Sequence, residues 1–515
     1  MSEQRQQGSS VLDEPDERRK SGRGLGHATR VQVTGHQFNA RRAALGLTLR
    51  RVGMETEPGR RQSMAMLASV TLTAVICLGA LFWSVIRPAG SVGESRIVAD
   101  QNTGALYVTV GETLYPALNL ASARLIAGTA DNPVRVRRSE IDSRPRGAMV
   151  GIPGAPSELT ATAPLRSSWL VCDAVTKAFG AGAPEPVTVT VIDGQPDLSD
   201  RRRMLDKRDA VLLRYGDDVW LIRDGRRSRL DPSQRPVLLA LGVPGEAITT
   251  ARPMSRALFD AIPVGAALTV PTIARAGEPA RFADAPGPVG TVVSTPQVGG
   301  APTYSVVLLD GVQQISPIVA QILQNANGSG APMPVVAGPV LAEMPAVTSL
   351  DVSVYPDEQL HLVDTQTNPA TCWWWQRNDG EPRASTSVLS GPSIPVPADQ
   401  AGKVVPMVKA DKSGWQADRV FFGPDYANYL ISTGNDPAAA TQETLWWVSE
   451  SGVRFGVERN QETLGALGLS TPPKPAPWSV LRLLAPGPTL SKADALVRHD
   501  ALPVDVNVGE LEQPK

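Results

Sequence analysis

The chain has 515 residues, room for roughly two to four ordinary domains, and 42% of them are hydrophobic, enough to bury a core. Its formal net charge of −1 excludes a protein that binds nucleic acid along its whole length, and only the first thirty residues have the polar, charged make-up of a disordered chain. Glycine (46) and proline (45) are frequent and helical periodicity is scarce beyond the first ninety residues, which points to a turn-rich, mainly β body.

Residues 1–33 read as a disordered tail and 34–62 as an amphipathic helix with a linker. In "FNARRAALGLTLRRVG" the apolar residues Phe38, Leu45, Leu49 and Val52 recur at helical spacing, flanked by Arg41, Arg42, Arg50 and Arg51. The segment looks at first like the opening helix of a helix-turn-helix DNA reader. Such a domain needs a recognition helix of some nine residues next. Glu55, Glu57 and Pro58-Gly59 break the pattern instead, and an apolar run starts at Ser63. The segment is therefore expected to lie at the inner membrane face or against a partner subunit. Phe38, Leu45 and Leu49 would turn to the partner, and Arg41 and Arg42 to lipid headgroups or acidic partner groups. No nucleic-acid binding is expected.

Ser63 to Ile86 is a run of 24 residues without a charge. At about 1.5 Å per residue it crosses a hydrocarbon core of about 30 Å with some tilt. Arg60 and Arg61 fence one end, Arg87 fences the other ahead of Pro88, and Trp83 suits an interfacial anchor. A buried core helix is rarely this long and uniformly apolar, and a cleaved signal peptide does not normally follow 62 residues. Positive charge stays on the cytoplasmic side: residues 20–62 hold nine Arg/Lys, and the 20 residues after the span hold only Arg87 and Arg96. The expectation is a single-pass membrane protein with a cytoplasmic N-terminus and an exported body.

Cys77 lies inside the span, which leaves Cys172 in "WLVCDAV" and Cys372 in "ATCWWWQR" as the pair in the exported part. An even number in an oxidising compartment favours a disulfide, which would close a loop of 200 residues. Two unrelated buried thiols are the competing reading. One or two of the three adjacent tryptophans are expected to pack over the disulfide, the others forming a contact surface.

A phrase of short strand, Gly-containing turn, second strand and leucine-rich segment recurs at 105–126, 218–243, 304–323 and 445–469. Gly111, Gly225, Gly311 and Gly452 fall at the turns. Asp-Gly at 224–225 and 310–311 is the dipeptide of a tight hairpin whose central residues need φ > 0. "PVLLALG" and "PIVAQIL" read as short helices opening after a proline. Each hairpin is too small to stand alone, so the copies must pack on shared material, with roughly 145–200 and 335–440 as the candidate core.

No catalytic constellation emerges. The four histidines are scattered, and there is no Cys-x-x-Cys, phosphate-binding loop, dinucleotide motif or nucleophile elbow. No catalytic, metal-ligating or cofactor-binding residue is assigned. The residues leave three functions: a non-catalytic scaffold, an envelope-anchored hydrolase directed at ATP or the cell wall, and a membrane-anchored sensor.

"TRVQVTGHQFNARRAALGL", then "EPGRRQ" and a single span, resembles the N-terminus of EccB, a membrane-core subunit of mycobacterial type VII (ESX) secretion systems. The tail "PWSVLRLLAPGPTLSKADALVRHD" at 477–500 is similar to the family's too. One departure is "QAGKVVPMVKA" at 400–410, where a more Gly/Arg-rich version is expected. The resemblance implies an α+β, mainly β fold: a cytosolic amphipathic helix, a transmembrane helix at 63–86, and an elongated periplasmic body at 87–500. Four hairpin-containing repeats would surround a central β domain there, with a flexible tail at 501–515. It further implies a Cys172–Cys372 staple, no enzymatic activity and no cofactor. The implied assembly is a hexameric channel of EccB copies with EccC (the ATPase), EccD and EccE, with inner-membrane lipid around it and a mycosin protease on the periplasmic side.

Overall fold

Residues 30–50, 58–86, 95–176, 186–199, 201–328, 330–408 and 415–502 are described by a computed structural model. Two compact units emerge, Met1–Pro88 and Ala89–Lys515. In the first, helix α1 spans Arg30–Leu49 and helix α2 spans Pro58–Ile86. The α1 helix starts eight residues ahead of Phe38. Val31, Phe38 and Leu45 stand seven residues apart, close to two turns, and so line one side, with Arg41 and Arg42 bordering it. Val33 and Leu47 fall off that stripe, so the segregation is only partial.

The Pro58-Gly59 pair opens α2 rather than ending a helix, because proline at the first helical turn gives up an N–H that has no partner there anyway. Residues 58–62, expected as linker, are therefore helical. From Gln62 to Trp83 the helix is long and apolar enough to cross a membrane, with mean hydropathy 2.2 over 22 residues. The Ser69, Thr71 and Thr73 hydroxyls donate to carbonyls one turn back, so these three need no outside acceptor.

The second unit contains four copies of one topology. In the first, strands β1 (Ile97–Asp100), β2 (Leu106–Val110) and β3 (Thr113–Pro116) form an antiparallel meander. Helix α3 (Leu120–Ala127) returns the chain, β4 (Val134–Val136) joins parallel to β1, and helix α4 (Arg138–Asp142) leads to Arg146, which bridges β3 in parallel. The short strand β5 (Met149–Val150) follows. Strands β6 (Arg166–Val175), β7 (Val187–Asp193) and β8 (Arg203–Met204) then enter a central sheet.

The second copy uses β9 (Asp209–Tyr215), β10 (Asp218–Arg223) and β11 (Arg226–Leu230), then helices α5 (Arg235–Leu241) and α6 (Gly245–Thr249). Strand β12 (Arg252–Pro253) runs parallel to β9, and helix α7 (Arg256–Ala261) precedes the return of Val264 beside β11. The third has β13 (Val292–Thr295), β14 (Thr303–Leu308), β15 (Gly311–Ile315), α8 (Pro317–Asn327) and α9 (Gly338–Ala342). Val335 and Ala346 make its two parallel returns, on β13 and β15.

After β16 (His361–Leu362), strands β17 (Ala370–Asn378), β18 (Ser385–Gly391), β19 (Val405–Pro406) and β20 (Arg419–Phe422) complete the central sheet, in the order β19-β20-β7-β6-β17-β18-β8. The fourth copy has β21 (Tyr429–Thr433), β22 (Thr441–Val448), β23 (Val453–Val457), α10 (Gln461–Leu467), β24 (Lys474–Pro477), α11 (Trp478–Leu481) and β25 (Ala485–Pro486). Helix α12 (Lys492–Ala495) and strand β26 (Arg498–His499), paired to β5, close the described chain.

Helices α3, α5, α8 and α10 each end on a left-handed glycine: Gly128, Gly242, Gly328 and Gly468. Asn119, Ser316 and Asn460 cap three of the four N-termini, accepting from the N–H three residues on. The hairpin turns differ. Asp224 and Gly225 both have positive φ (47° and 68°), as expected for a type I′ turn. Gly311 does not sit in its turn. Leu308 pairs Gly311, which leaves Leu309 and Asp310 at the bend, and Gly311 is the first residue of β15. A Cβ there would lie 2.3 Å from the carbonyl oxygen of Pro345, on the returning segment.

The repeats do not ring the centre individually. The second and third share one apolar core, including Leu238 and Leu241 of α5 and Ile318, Val319 and Ile322 of α8. The first and fourth share another, including Leu125 of α3 and Leu467 of α10. The second and fourth both pack on one face of the central sheet, against Trp169, Trp373 and Trp375. The expected core segments are narrower than read: residues 335–346 belong to the third repeat and 429–440 to the fourth.

Candidate functional site

Strands β6 and β17 lie antiparallel at the middle of the central sheet, with Cys172 directly opposite Cys372. Their Cα atoms are 4.0 Å apart and the two are disulfide-bonded. Because successive strand residues point to opposite faces, the run Cys372-Trp373-Trp374-Trp375 is divided. Trp374 shares the disulfide's face with Leu170, Ile192, Leu389 and Phe421, and its Nε1–H donates to Ser168 Oγ at 2.9 Å. Trp373 and Trp375 point the other way, into the core under the second and fourth repeats. All three rings are buried, so the cluster forms no contact surface.

Two buried carboxylates join that sheet to the repeats. Asp173, next to the disulfide on β6, accepts from Ser255 N–H and Ser255 Oγ, each at 2.6 Å. Ser255 is itself the N-cap of α7 in the second repeat. Burial pushes the Asp173 carboxyl up to about 7, against the pull of the two Ser255 bonds and with a further push from Asp418. Asp193, at the end of β7, accepts from the N–H of Ala427, two residues ahead of the fourth repeat, and burial raises it well above the usual carboxylate range. The two repeats also meet directly. Arg482 Nη2 reaches Asp260 Oδ2 at 2.6 Å, and Asn435 Nδ2 donates to the carbonyls of Asp260 and Ala261 at 2.9 and 3.0 Å. Sequence reasoning missed both aspartates. Their signal was a charge inside an apolar strand, in "WLVCDAV" and "VTVTVID".

The remaining expected site residues lie in the N-terminal unit. Phe38 (38% exposed), Leu45 (47%), Arg41 and Arg42 stand exposed on α1. Leu49 is the last residue of α1, and Arg60 and Arg61 fall in the first turn of α2. Trp83, near the other end of α2, is 64% exposed. Arg87 lies outside the described residues, as do residues 1–29, 51–57 and 503–515. The cysteine pair belongs to the other unit.

Among the described residues no three His, Cys, Asp or Glu side chains stand in metal-holding geometry. A cleft of about 900 Å³ opens beside the second and third repeats, lined by Lys207, Arg208, Arg223, Tyr304, Gln314 and Glu358 among others. Four of its charges pair within the wall, Arg208 with Glu358 at 3.0 Å and Arg223 with Asp224 at 2.8 Å.

A helix long and apolar enough to span a membrane, followed in the chain by a disulfide-tied β body of four repeats, is thus in place. The family model for the type VII secretion system ESX-1, transport transmembrane domain B (EccB), matches residues 25–504. The chain belongs to the EccB family. It is 58% identical over 506 residues to the ESX-5 secretion system ATPase EccB5 of Mycobacterium tuberculosis, covering 98% of this chain and 100% of that protein. It is 40% identical over 496 residues to the ESX-3 secretion system ATPase EccB3 of Mycolicibacterium smegmatis, covering 95% and 94%. The EccB fold here is similar to a chain in the structure of an intact ESX-5 inner membrane complex, with TM-score 0.76, 56% identity and 96% of this chain covered against 100% of that one. It is also similar to the EccB3 dimer from the ESX-3 core complex, with TM-score 0.70, 39% identity and coverage of 78% and 100%.

Proposed function

We propose that this EccB-family chain is a non-catalytic scaffold of a type VII secretion complex in the inner membrane. The observation that carries the reading is likeness over 96% of the chain to a component of an intact ESX-5 inner membrane complex. One span leading into a repeat-built body supplies the matching anatomy.

In this reading the N-terminus is cytoplasmic, which the nine Arg/Lys of residues 20–62 favour, and the body is periplasmic. Helix α1 docks on other core subunits or anionic lipid through Phe38, Leu45 and Leu49, with Arg41 and Arg42 on acidic groups. Arg60, Arg61, Trp83 and Arg87 sit at the two membrane interfaces. The partners are EccC, EccD, EccE, further copies of this chain and a mycosin protease, with six copies ringing a pore. The relatives carry the word ATPase in their names, but this sequence has no phosphate-binding loop, and the reading assigns ATP turnover to EccC.

Deleting residues 34–54 tests the docking role. The expected outcome is loss of co-purification of the other core subunits, while the exported body keeps its thermal unfolding transition. An intact complex after the deletion overturns it. The detergent-extracted full chain, free of EccC, should turn over no ATP; turnover abolished by a point substitution in this chain overturns the non-catalytic reading.

A further inference from the structure

The second and fourth repeats carry matching Arg–aromatic clusters, and the match isolates one arginine. Arg227 is the second residue of β11 and pairs Ile222; Arg454 is the second residue of β23 and pairs Val448. Each is followed by a glycine whose N–H returns to its carbonyl, Gly265 at 2.7 Å and Gly487 at 2.8 Å. Each guanidinium lies over two rings. Arg227 is 5.5 Å from the Trp220 ring and 3.9 Å from Phe259; Arg454 is 5.2 Å from both Trp446 and Trp478.

Both arginines leave Nε buried without a partner among the described residues, but only Arg227 has an acceptor and an acidic charge within its own repeat. Its Nη1 donates to the carbonyl of Ile262, and the Asp260 charge bears on it. The Arg454 guanidinium makes no hydrogen bond or ion pair with the described residues. Burial lowers its pKa and no anion offsets that. A half-buried cation beside two stacked indoles, with no counter-charge among the described residues, bears a desolvation cost that its own repeat does not offset. The neighbouring Trp478 is 43% exposed, so the cluster opens at the surface.

We infer that Arg454, with Trp446 and Trp478, is a docking point for the carboxylate of an Asp or Glu on a different subunit of the membrane complex. This rests on the scaffold reading above. The guanidinium fork matches a carboxylate in two parallel bonds. The indole walls favour a protein acid over a free inorganic anion, because an acidic side chain arrives with an aliphatic stem that covers them. Tryptophan and arginine are also enriched among the few residues that carry most of the binding energy at protein interfaces.

The test uses the purified full complex carrying Arg454→Lys, which keeps the charge and supplies an amine. Carbodiimide then joins that amine to a touching carboxylate, and mass spectrometry reads the linked peptides. The expected product is a link from position 454 to an Asp or Glu of another subunit. Separately, Arg454→Gln should weaken that subunit's retention in salt washes by about tenfold, as loss of a desolvated charge contact does, with the unfolding midpoint unchanged. An intact complex in which position 454 links to nothing, or only to acids of its own chain such as Glu510 or Glu512, overturns the inference alone. A wild-type chain that co-purifies with no other subunit overturns the scaffold reading and this inference together.

Discussion

Asp173 shows how one buried side chain sets a pH dependence. Its carboxyl titrates near 7 in the folded chain and near 3.8 when exposed, chiefly because burial penalises the anion. The folded state therefore holds a proton that the unfolded state has lost between those two values. The stability this one group contributes is fully present below about pH 4, is lost as pH rises towards 7, and then levels off, by up to roughly 4 kcal/mol in total. Asp173→Asn mimics the protonated acid. Urea unfolding from pH 5 to 8 should show a shallower decline for the variant than for the wild type; parallel curves would deny Asp173 this role. The charge inside "WLVCDAV" was legible, but its partner Ser255 is 82 residues away and no local pattern connects them. The three tryptophans were half legible. Proximity to Cys372 placed one ring, and strand alternation, once the strand is known, sends its neighbours to the opposite core.

Elements explain why the repeats were visible only in part. The strand, turn, strand and helix phrases stand out because apolar alternation, Asp-Gly and capping residues are local signals. The returning strands are not. Strand β12 is Arg252-Pro253 and β24 is Lys-Pro-Ala-Pro, and proline argues against a strand unless it lies at an edge, where both of these are. Gly311 was misread for a related reason: Asp-Gly signals a turn, but this glycine serves the return of Pro345 across it. Gly311→Ala sets a methyl against a backbone carbonyl that cannot swing aside. It should cost about 2–4 kcal/mol, read as a lower urea midpoint. Gly402→Ala, where a Cβ meets nothing within 4 Å, is the matched control and should shift the midpoint by under about 0.5 kcal/mol.

Over the whole molecule, the disulfide joins strands 200 residues apart, and the second and third repeats both lie inside the loop it closes. Under denaturing conditions the full chain should show one free thiol, Cys77, before reduction and three after it. Replacing both Cys172 and Cys372 by Ala should lower stability by about 2–5 kcal/mol, from the freedom returned to the unfolded loop and the lost packing, measured by urea titration. The first and fourth repeats share their core across more than 300 residues of chain. Synthesis runs from the N-terminus, so the first repeat is complete while its packing partner has still to be made. Leu125 and its neighbours must stay exposed, or be sheltered by other factors, until Leu467 and Leu490 are available. A nonsense mutation late in the gene would therefore damage the protein at its beginning, by unroofing the first repeat.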